Sequence, residues 1–338
     1  MGLMTSFWLS LVLSIIISMH GSTEAVDIGV CYGMNGNDLP SSPDVVQLYK
    51  QHGIAKMRLF DPNPQALEAL RGSQIAVSLG TRNEDIQSIA SSQEAADSWF
   101  TNNVAPYLSD IKFSYITVGN EAIPSQFAGS IGAAMQNLQN TINARGVAGI
   151  KVSTVLSSGT LGSSYPPSAG AFSAEAREAL ISVLQFLSAQ GSPLMINVYP
   201  YFAYASDPAN IRLDYAQFTA TGTVVQDGAL SYSNMFDAIV DAFYWAMEKE
   251  GVSNVGVVVS ESGWPSAGNG ELTTPELAAT YNKNFIQHIM TNGTPKRPQD
   301  HIEGYIFAMF NENLKPEGTE QHFGLFSPNM QPSYPVFT

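Results

Sequence analysis

The chain alternates between two hydrophobic rhythms. Short unbroken apolar runs are followed by longer stretches in which apolar residues recur every three or four positions, the signatures of buried strands and amphipathic helices. Residues 28–32 form the first strand pattern, and residues 41–52 the first helix, with Ser42 ahead of Pro43 as cap and first turn. Strand patterns follow at 56–60, 74–79, 113–119, 151–156, 193–199, 255–260 and 301–310. Helical patterns lie between them at 64–70, 93–108, 131–144, 174–189 and 275–290. Phe236, Ile239, Val240, Phe243 and Met247 mark one face of a further helix, which we read as core packing rather than a ligand groove.

The pattern therefore predicts eight strands, each but the last followed by a helix. Such alternation implies a parallel sheet. Eight units within residues 26–338 point to an α/β fold with a single closed (β/α)8 TIM barrel. A doubly wound open sheet is the alternative, but no Gly-x-Gly-x-x-Gly follows the first strand and no phosphate-binding loop is present. The stretch 157–170, rich in Ser, Pro and Gly, and the aromatic stretch 199–218 read as long loops on the rim of the barrel.

Two strands end in an unusual way. Val257-Val-Val-Ser-Glu-Ser-Gly-Trp-Pro-Ser-Ala-Gly268 is a β-branched run that stops at a carboxylate, after which Gly263 and Pro265 prevent simple continuation. Phe113 to Glu121 has the same design, with Gly119 and Asn120 before the glutamate. A carboxylate at the exit of an apolar strand is costly to bury unless it is paired or used. One such glutamate can simply meet solvent. Two suggest more, because barrel chemistry sits at the carboxyl ends of the strands. Glu121 ends strand four and Glu261 strand seven, on nearly opposite walls, so their side chains can close to ~5 Å, the separation found in retaining glycosidases. Trp264, beside the second glutamate, offers a flat apolar face of the kind a sugar ring stacks on.

Composition narrows the partners. The 338 residues are 44% hydrophobic and 13% charged, with 29 acidic against 15 basic side chains and a net charge of −14. A large core is feasible, and neither nucleic acid nor an anionic membrane is favoured, since both need a basic face. A neutral polymer fits this balance. Residues 7–19 are almost continuously apolar but too short to span a bilayer, and small residues follow up to Ala25, so residues 1–25 read as a secretory signal peptide; a signal anchor is the competing reading. Removing them takes away Glu24 and no basic residue, leaving −13. Cys31, the single cysteine, permits no intramolecular disulfide and reads as a small buried hydrophobe. No zinc-ligand spacing is present, and no cofactor or metal is called for. Asn292-Gly-Thr294 is the only glycosylation sequon, with an unfavourable Pro295 after it.

With these motifs in hand, the chain resembles the plant endo-β-1,3-glucanases of glycoside hydrolase family 17. The resemblance covers residues 26–338 and rests on the stretch 257–268 together with Val118-Gly-Asn-Glu121, Val30-Cys-Tyr-Gly33, Asn197-Val-Tyr-Pro-Tyr-Phe202 and Phe307-Ala-Met-Phe-Asn-Glu-Asn313 in order. It implies the barrel already predicted, endo-hydrolysis of β-1,3-glucan by a retaining mechanism, Glu261 as nucleophile and Glu121 as general acid/base. It also implies substrate-binding positions at Tyr32, Tyr199, Phe202, Trp264, Glu312, Lys315 and Glu320. Asn120 can bond the sugar's 2-hydroxyl or only satisfy a strand-end backbone group, and Lys315 can serve the carboxylates or form a surface ion pair. Tyr201 and Phe323 read as packing. Mixed-linkage β-1,3-1,4-glucan hydrolysis is the alternative activity, and a non-catalytic glucan-binding protein on the same scaffold the alternative class. The chain ends at Thr338, soon after the last strand, so the C-terminal propeptide, anchoring tail and binding module of some relatives are expected to be lacking. A secreted monomer is expected, with no membrane contact in its mature form; the vacuole is the less favoured destination.

Overall fold

The computed structural model describes residues 26–291 and 293–337. The proposed leader and Asn292 of the sequon lie outside the described residues. Eight strands run in chain order: β1 (Val26–Tyr32), β2 (Ile54–Leu59), β3 (Ala76–Gly80), β4 (Lys112–Asn120), β5 (Lys151–Ser157), β6 (Leu194–Asn197), β7 (Val257–Ser262) and β8 (Glu303–Ile306). Each pairs in parallel with its sequence neighbours, and β8 pairs with β1, closing the barrel. The predicted (β/α)8 architecture is the one observed. The strands read as apolar runs because helices cover their outer faces and side-chain layers fill the inside.

The outer layer comprises α1 (Ser42–Gln51), α2 (Pro64–Leu70), α3 (Ile86–Ser91), α4 (Gln93–Asn103), α5 (Ile131–Ala144), α6 (Ala174–Gln190), α7 (Pro200–Ser206), α8 (Leu213–Ala216), α9 (Met235–Lys249) and α10 (Pro275–Thr291). Capping differs slightly from expectation. The residue at the N-cap of α1 is Ser41, whose hydroxyl donates to the Asp44 carboxylate at 2.5 Å, while Pro43 occupies the first turn. On α9, Phe236, Val240, Phe243 and Met247 are buried as predicted, but Ile239 is half-buried and lines the cleft described below.

Two small antiparallel ribbons, Leu161–Ser163 with Ala171–Phe172 and Val225–Asp227 with Leu230–Tyr232, decorate the long rim loops. The strand predicted over 301–310 is only four residues long. Beyond Ile306 the chain leaves the ladder, with Ala308 N–H donating to Phe323 and Met309 N–H to Cys31. Cys31 is fully buried, and its thiol donates to the Ser260 carbonyl at 3.3 Å, consistent with a packing role. Among the described residues no helix is long and apolar enough to cross a membrane.

Candidate active site

At the carboxyl end of the barrel the loops enclose an open cleft of about 850 Å3. Glu121, Glu261, Tyr32, Asn120, Tyr199, Phe202, Glu312, Lys315 and Glu320 all line it. The ladder is irregular beside both strand-end glutamates: between Thr117 and Asn120 on β4, and between Val259 and Glu261 on β7. Such irregularities turn a strand-end side chain away from the regular pleat.

Glu261 is nearly buried at the cleft floor, and both carboxylate oxygens are occupied. Arg58 on β2, only 1% exposed, donates Nη1 to Oε1 at 2.5 Å, and the Tyr199 hydroxyl donates to Oε2 at 2.6 Å. Burial, and then the negative charge of Glu261, pushes the Tyr199 phenol well above its usual range, so it remains a donor. Arg58 reaches further: Nη2 donates to Asn120 Oδ1 at 2.8 Å and Nη1 to the Ser260 carbonyl at 3.2 Å.

Glu121 stands in a different setting. It follows β4 with φ of 51° and projects into the open cleft. Its Oε1 accepts from Asn197 Nδ2 at 2.8 Å, and Asn197 is oriented in turn by Ser260, whose hydroxyl donates to Asn197 Oδ1 at 2.8 Å. Loss of hydration against the cleft walls raises the Glu121 carboxyl above its ordinary range, and the nearby charge of Glu261 raises it further; Asn197 and Arg58 oppose this. Two carboxyls in one cleft thus have unlike environments, one held by a cation and the other biased toward its protonated form.

Glu312 is buried at the cleft margin, accepting from the Asn35 backbone N–H at 2.7 Å and facing Lys315 at 3.8 Å. A side chain at Gly33 would collide with it, since a Cβ there would lie 2.3 Å from Oε2. Burial raises the Glu312 carboxyl, with Lys315 acting in the opposite direction. Lys315 also faces Glu320 at 3.8 Å and lies over the Phe307 ring at 4.3 Å. It therefore ties two carboxylates to the wall of the cleft rather than forming an isolated surface pair.

Phe202 presents an aromatic face to solvent, 44% exposed, edge-on to Tyr199. Trp264 does not. It is 0% exposed, donates Nε1–H to the Leu272 carbonyl and packs against Tyr201, Tyr204 and Tyr281, so no sugar can stack on it. The indole thus packs against α7, through Tyr201 and Tyr204, and against α10, through Tyr281. Tyr201 packs there as expected, whereas Phe323, though only 2% exposed, contributes to the cleft wall. Three further site residues escaped the sequence reading: Arg58, Asn83 and the amide of Asn197. Arg58 carried a usable signal, because an arginine inside an apolar parallel strand must be paired when buried. Among the described residues no group of His, Cys, Asp and Glu is arranged to hold a metal ion.

This architecture places the chain among the barrel glycoside hydrolases. A family model described as glycosyl hydrolases family 17 matches residues 28–337, and the chain belongs to that family. It is 54% identical over 318 residues to a probable glucan endo-1,3-β-glucosidase of Arabidopsis thaliana, spanning 93% of this chain and 92% of the relative. A glucan endo-1,3-β-glucosidase of Vitis vinifera is 50% identical over 336 residues, covering 98% and 97% of the two chains. Among solved structures, one from a pair of plant β-glucan endohydrolases with distinct substrate specificities superposes with a TM-score of 0.89 at 48% identity, covering 92% of this chain and 100% of that one. A β-1,3-glucanase and allergen of Cryptomeria japonica pollen gives 0.88 at 47% identity, covering 92% and 99%.

Proposed function

We propose that the protein hydrolyses internal β-1,3-glucosidic bonds of β-1,3-glucans by a retaining double displacement. The observation that carries this reading is the contrast between the two glutamates of one cleft. Glu261, with Arg58 as countercharge and Tyr199 as second donor, attacks the anomeric carbon and forms a glycosyl ester. Glu121, whose carboxyl is biased toward the protonated form, gives its proton to the departing glucosyl oxygen. Once Glu261 is esterified its negative charge is gone. Glu121 then loses one of the influences that raised it and can act as base, taking a proton from the water that cleaves the ester. Asn120, held by Arg58, is placed to bond the sugar's 2-hydroxyl, a contact that strengthens in the transition state.

The substrate class follows from the glucan endo-1,3-β-glucosidase relatives and from the cleft, which joins a polar floor to the aromatic faces of Tyr199 and Phe202. One family member of near-identical fold comes from a pair with distinct specificities, so a mixed-linkage glucan is the comparison that matters. Product analysis on a linear β-1,3-glucan beside a mixed-linkage β-1,3-1,4-glucan tests this. Oligosaccharides of several lengths should appear early from the first, with much slower attack on the second. Preferential cleavage of the mixed-linkage polymer would reverse the assignment. The apolar leader supports secretion and the cleft is complete within one chain, so we place the active species outside the cell as a monomer. N-terminal sequencing of secreted protein should begin near residue 26, and a start at Met1 would contradict the cleavage.

A further inference from the structure

The turn that carries Glu121 is held from outside by a side chain that the steps above do not use. At the end of β4, Gly119 and Glu121 both take positive φ, 73° and 51°. Glycine enters that region freely, but a glutamate does so only when its surroundings enforce it. β3 stops at Gly80, so the peptides of residues 119–121 have lost the neighbouring strand on that side. Asn83 replaces it. Its Oδ1 accepts from the Asn120 N–H at 2.8 Å and its Nδ2 donates to the Asn120 carbonyl at 3.0 Å, a two-point clamp on a single residue's backbone. Thr81 Oγ1 accepts from the Gly119 N–H at 3.0 Å, and the Glu121 N–H donates to the Val155 carbonyl at 3.0 Å. A Cβ at position 119 would lie 2.8 Å from Asn83 Oδ1, so the close approach itself requires a glycine there.

We propose that Asn83 is a positioning residue for proton transfer: through the backbone of Asn120 it sets the angle at which Glu121 presents its carboxyl to the glycosidic oxygen. The inference rests on the reading of Glu121 as proton donor. The asparagine side chain acts here as a surrogate peptide, completing a ladder at the point where the barrel strand must bend. Regular extended backbone in place of this turn would redirect the Glu121 side chain, because successive side chains of a strand point to opposite faces. Asn83 also borders the cleft, so direct contact with sugar is the competing role.

The two roles separate by leaving group. A series of aryl β-glycosides of a β-1,3-gluco-oligosaccharide, from dinitrophenyl to simple phenyl, is assayed with the parent enzyme, Asn83→Ala, Thr81→Val and Glu121→Ala. Dinitrophenolate departs without a proton, whereas phenolate needs one. Misplacing Glu121 in Asn83→Ala should therefore lower kcat/KM, which reports formation of the glycosyl ester, by about 10²-fold for phenyl substrates and far less for dinitrophenyl ones. For the dinitrophenyl substrates kcat falls, because hydrolysis of the ester still needs Glu121 as base. The alkaline limb of its pH profile should also move to lower pH as Glu121 gains solvent. Thr81→Val, which preserves volume, should show the same leaving-group dependence more weakly, and it decides the matter if Asn83→Ala is not recovered folded. Equal losses of kcat/KM across the series would overturn the proposal. Failure of Glu121→Ala to show leaving-group dependence would instead reject Glu121 as the acid, leaving the two failures distinguishable.

Discussion

Among the described residues the barrel carries a Glu–Tyr–cation cluster at each of its two ends, and the one at the carboxyl end lines the cleft. At the amino-terminal end, Glu303 of β8 accepts from the Tyr115 hydroxyl at 2.7 Å and the Tyr305 hydroxyl at 3.2 Å, and faces Lys56 at 3.4 Å. At the carboxyl end, Glu261 accepts from Tyr199 and Arg58. Strand β2 supplies both cations, Lys56 to one layer and Arg58 two residues later to the next, as the alternation of a strand requires. At the amino-terminal end the carboxylate faces a cation. At the cleft a second carboxyl, Glu121, shares the neighbourhood and has no ion-pair partner among the described residues. A carboxylate held by a cation closes a barrel, whereas a carboxyl without one can store and deliver a proton.

The largest effect that sharpens this contrast is on turnover. Glu261→Gln preserves size and the Arg58 contact but removes the proposed nucleophile, so kcat should fall by at least about 10³-fold while oligosaccharide binding survives. Steady-state kinetics with calorimetric binding read both quantities.

Next in size is the aromatic correction. Trp264→Ala should cost about 3–5 kcal/mol of folding stability through loss of a fully buried indole, with KM little changed in whatever folds. Phe202→Ala should do the reverse, raising KM by about tenfold with denaturation unaltered. An exchange of these outcomes would return Trp264 to the cleft.

A carboxylate away from both clusters tests the rule that the local partner set decides. Asp241 on α9 is fully buried, and its Oδ2 accepts from the neutral Tyr232 hydroxyl and Lys296 backbone N–H. Burial pushes it up to about 6. The folded state therefore holds this proton up to about pH 6, while the unfolded chain releases it near the ordinary aspartate value. Its contribution to stability is present at low pH and is lost as pH rises through that window. Asp241→Asn should stabilise the protein relative to its parent at pH 8, by up to about 3 kcal/mol, and much less at pH 4. Urea denaturation at the two pH values gives the comparison, and an equal effect at both would contradict it.

The smallest effect belongs to the amino-terminal cluster. Glu303→Gln should leave kcat within about threefold and cost about 1 kcal/mol of stability, as a partly satisfied amide replaces a carboxylate. A large loss of turnover would mean that the two ends are coupled.

What could be read before the fold was known follows from physical range. Strand order and the two strand-end glutamates are local patterns, repeated eight times and twice, and both were legible. The partners of those glutamates are not local: Arg58 meets Glu261 from 203 residues away and Asn197 meets Glu121 from 76. Trp264 misled because a tryptophan after a strand looks alike whether it faces the cleft or packs against the helices, and the packing of Tyr201, Tyr204 and Tyr281 decides which. The 225–232 hairpin escaped because its two strands are only three residues each.

If Glu261 attacks and Glu121 moves protons, added azide should give opposite anomers from the two alanine variants. With an activated aryl β-glycoside, azide should rescue Glu261→Ala by entering the vacated face and giving the α-glycosyl azide. In Glu121→Ala the covalent intermediate still forms, so azide should intercept it from the opposite side and give the β-azide. Proton NMR of the two products distinguishes the anomers. Exchange of the two products would reverse the roles, and unimpaired hydrolysis of natural glucan by both variants would contradict the account.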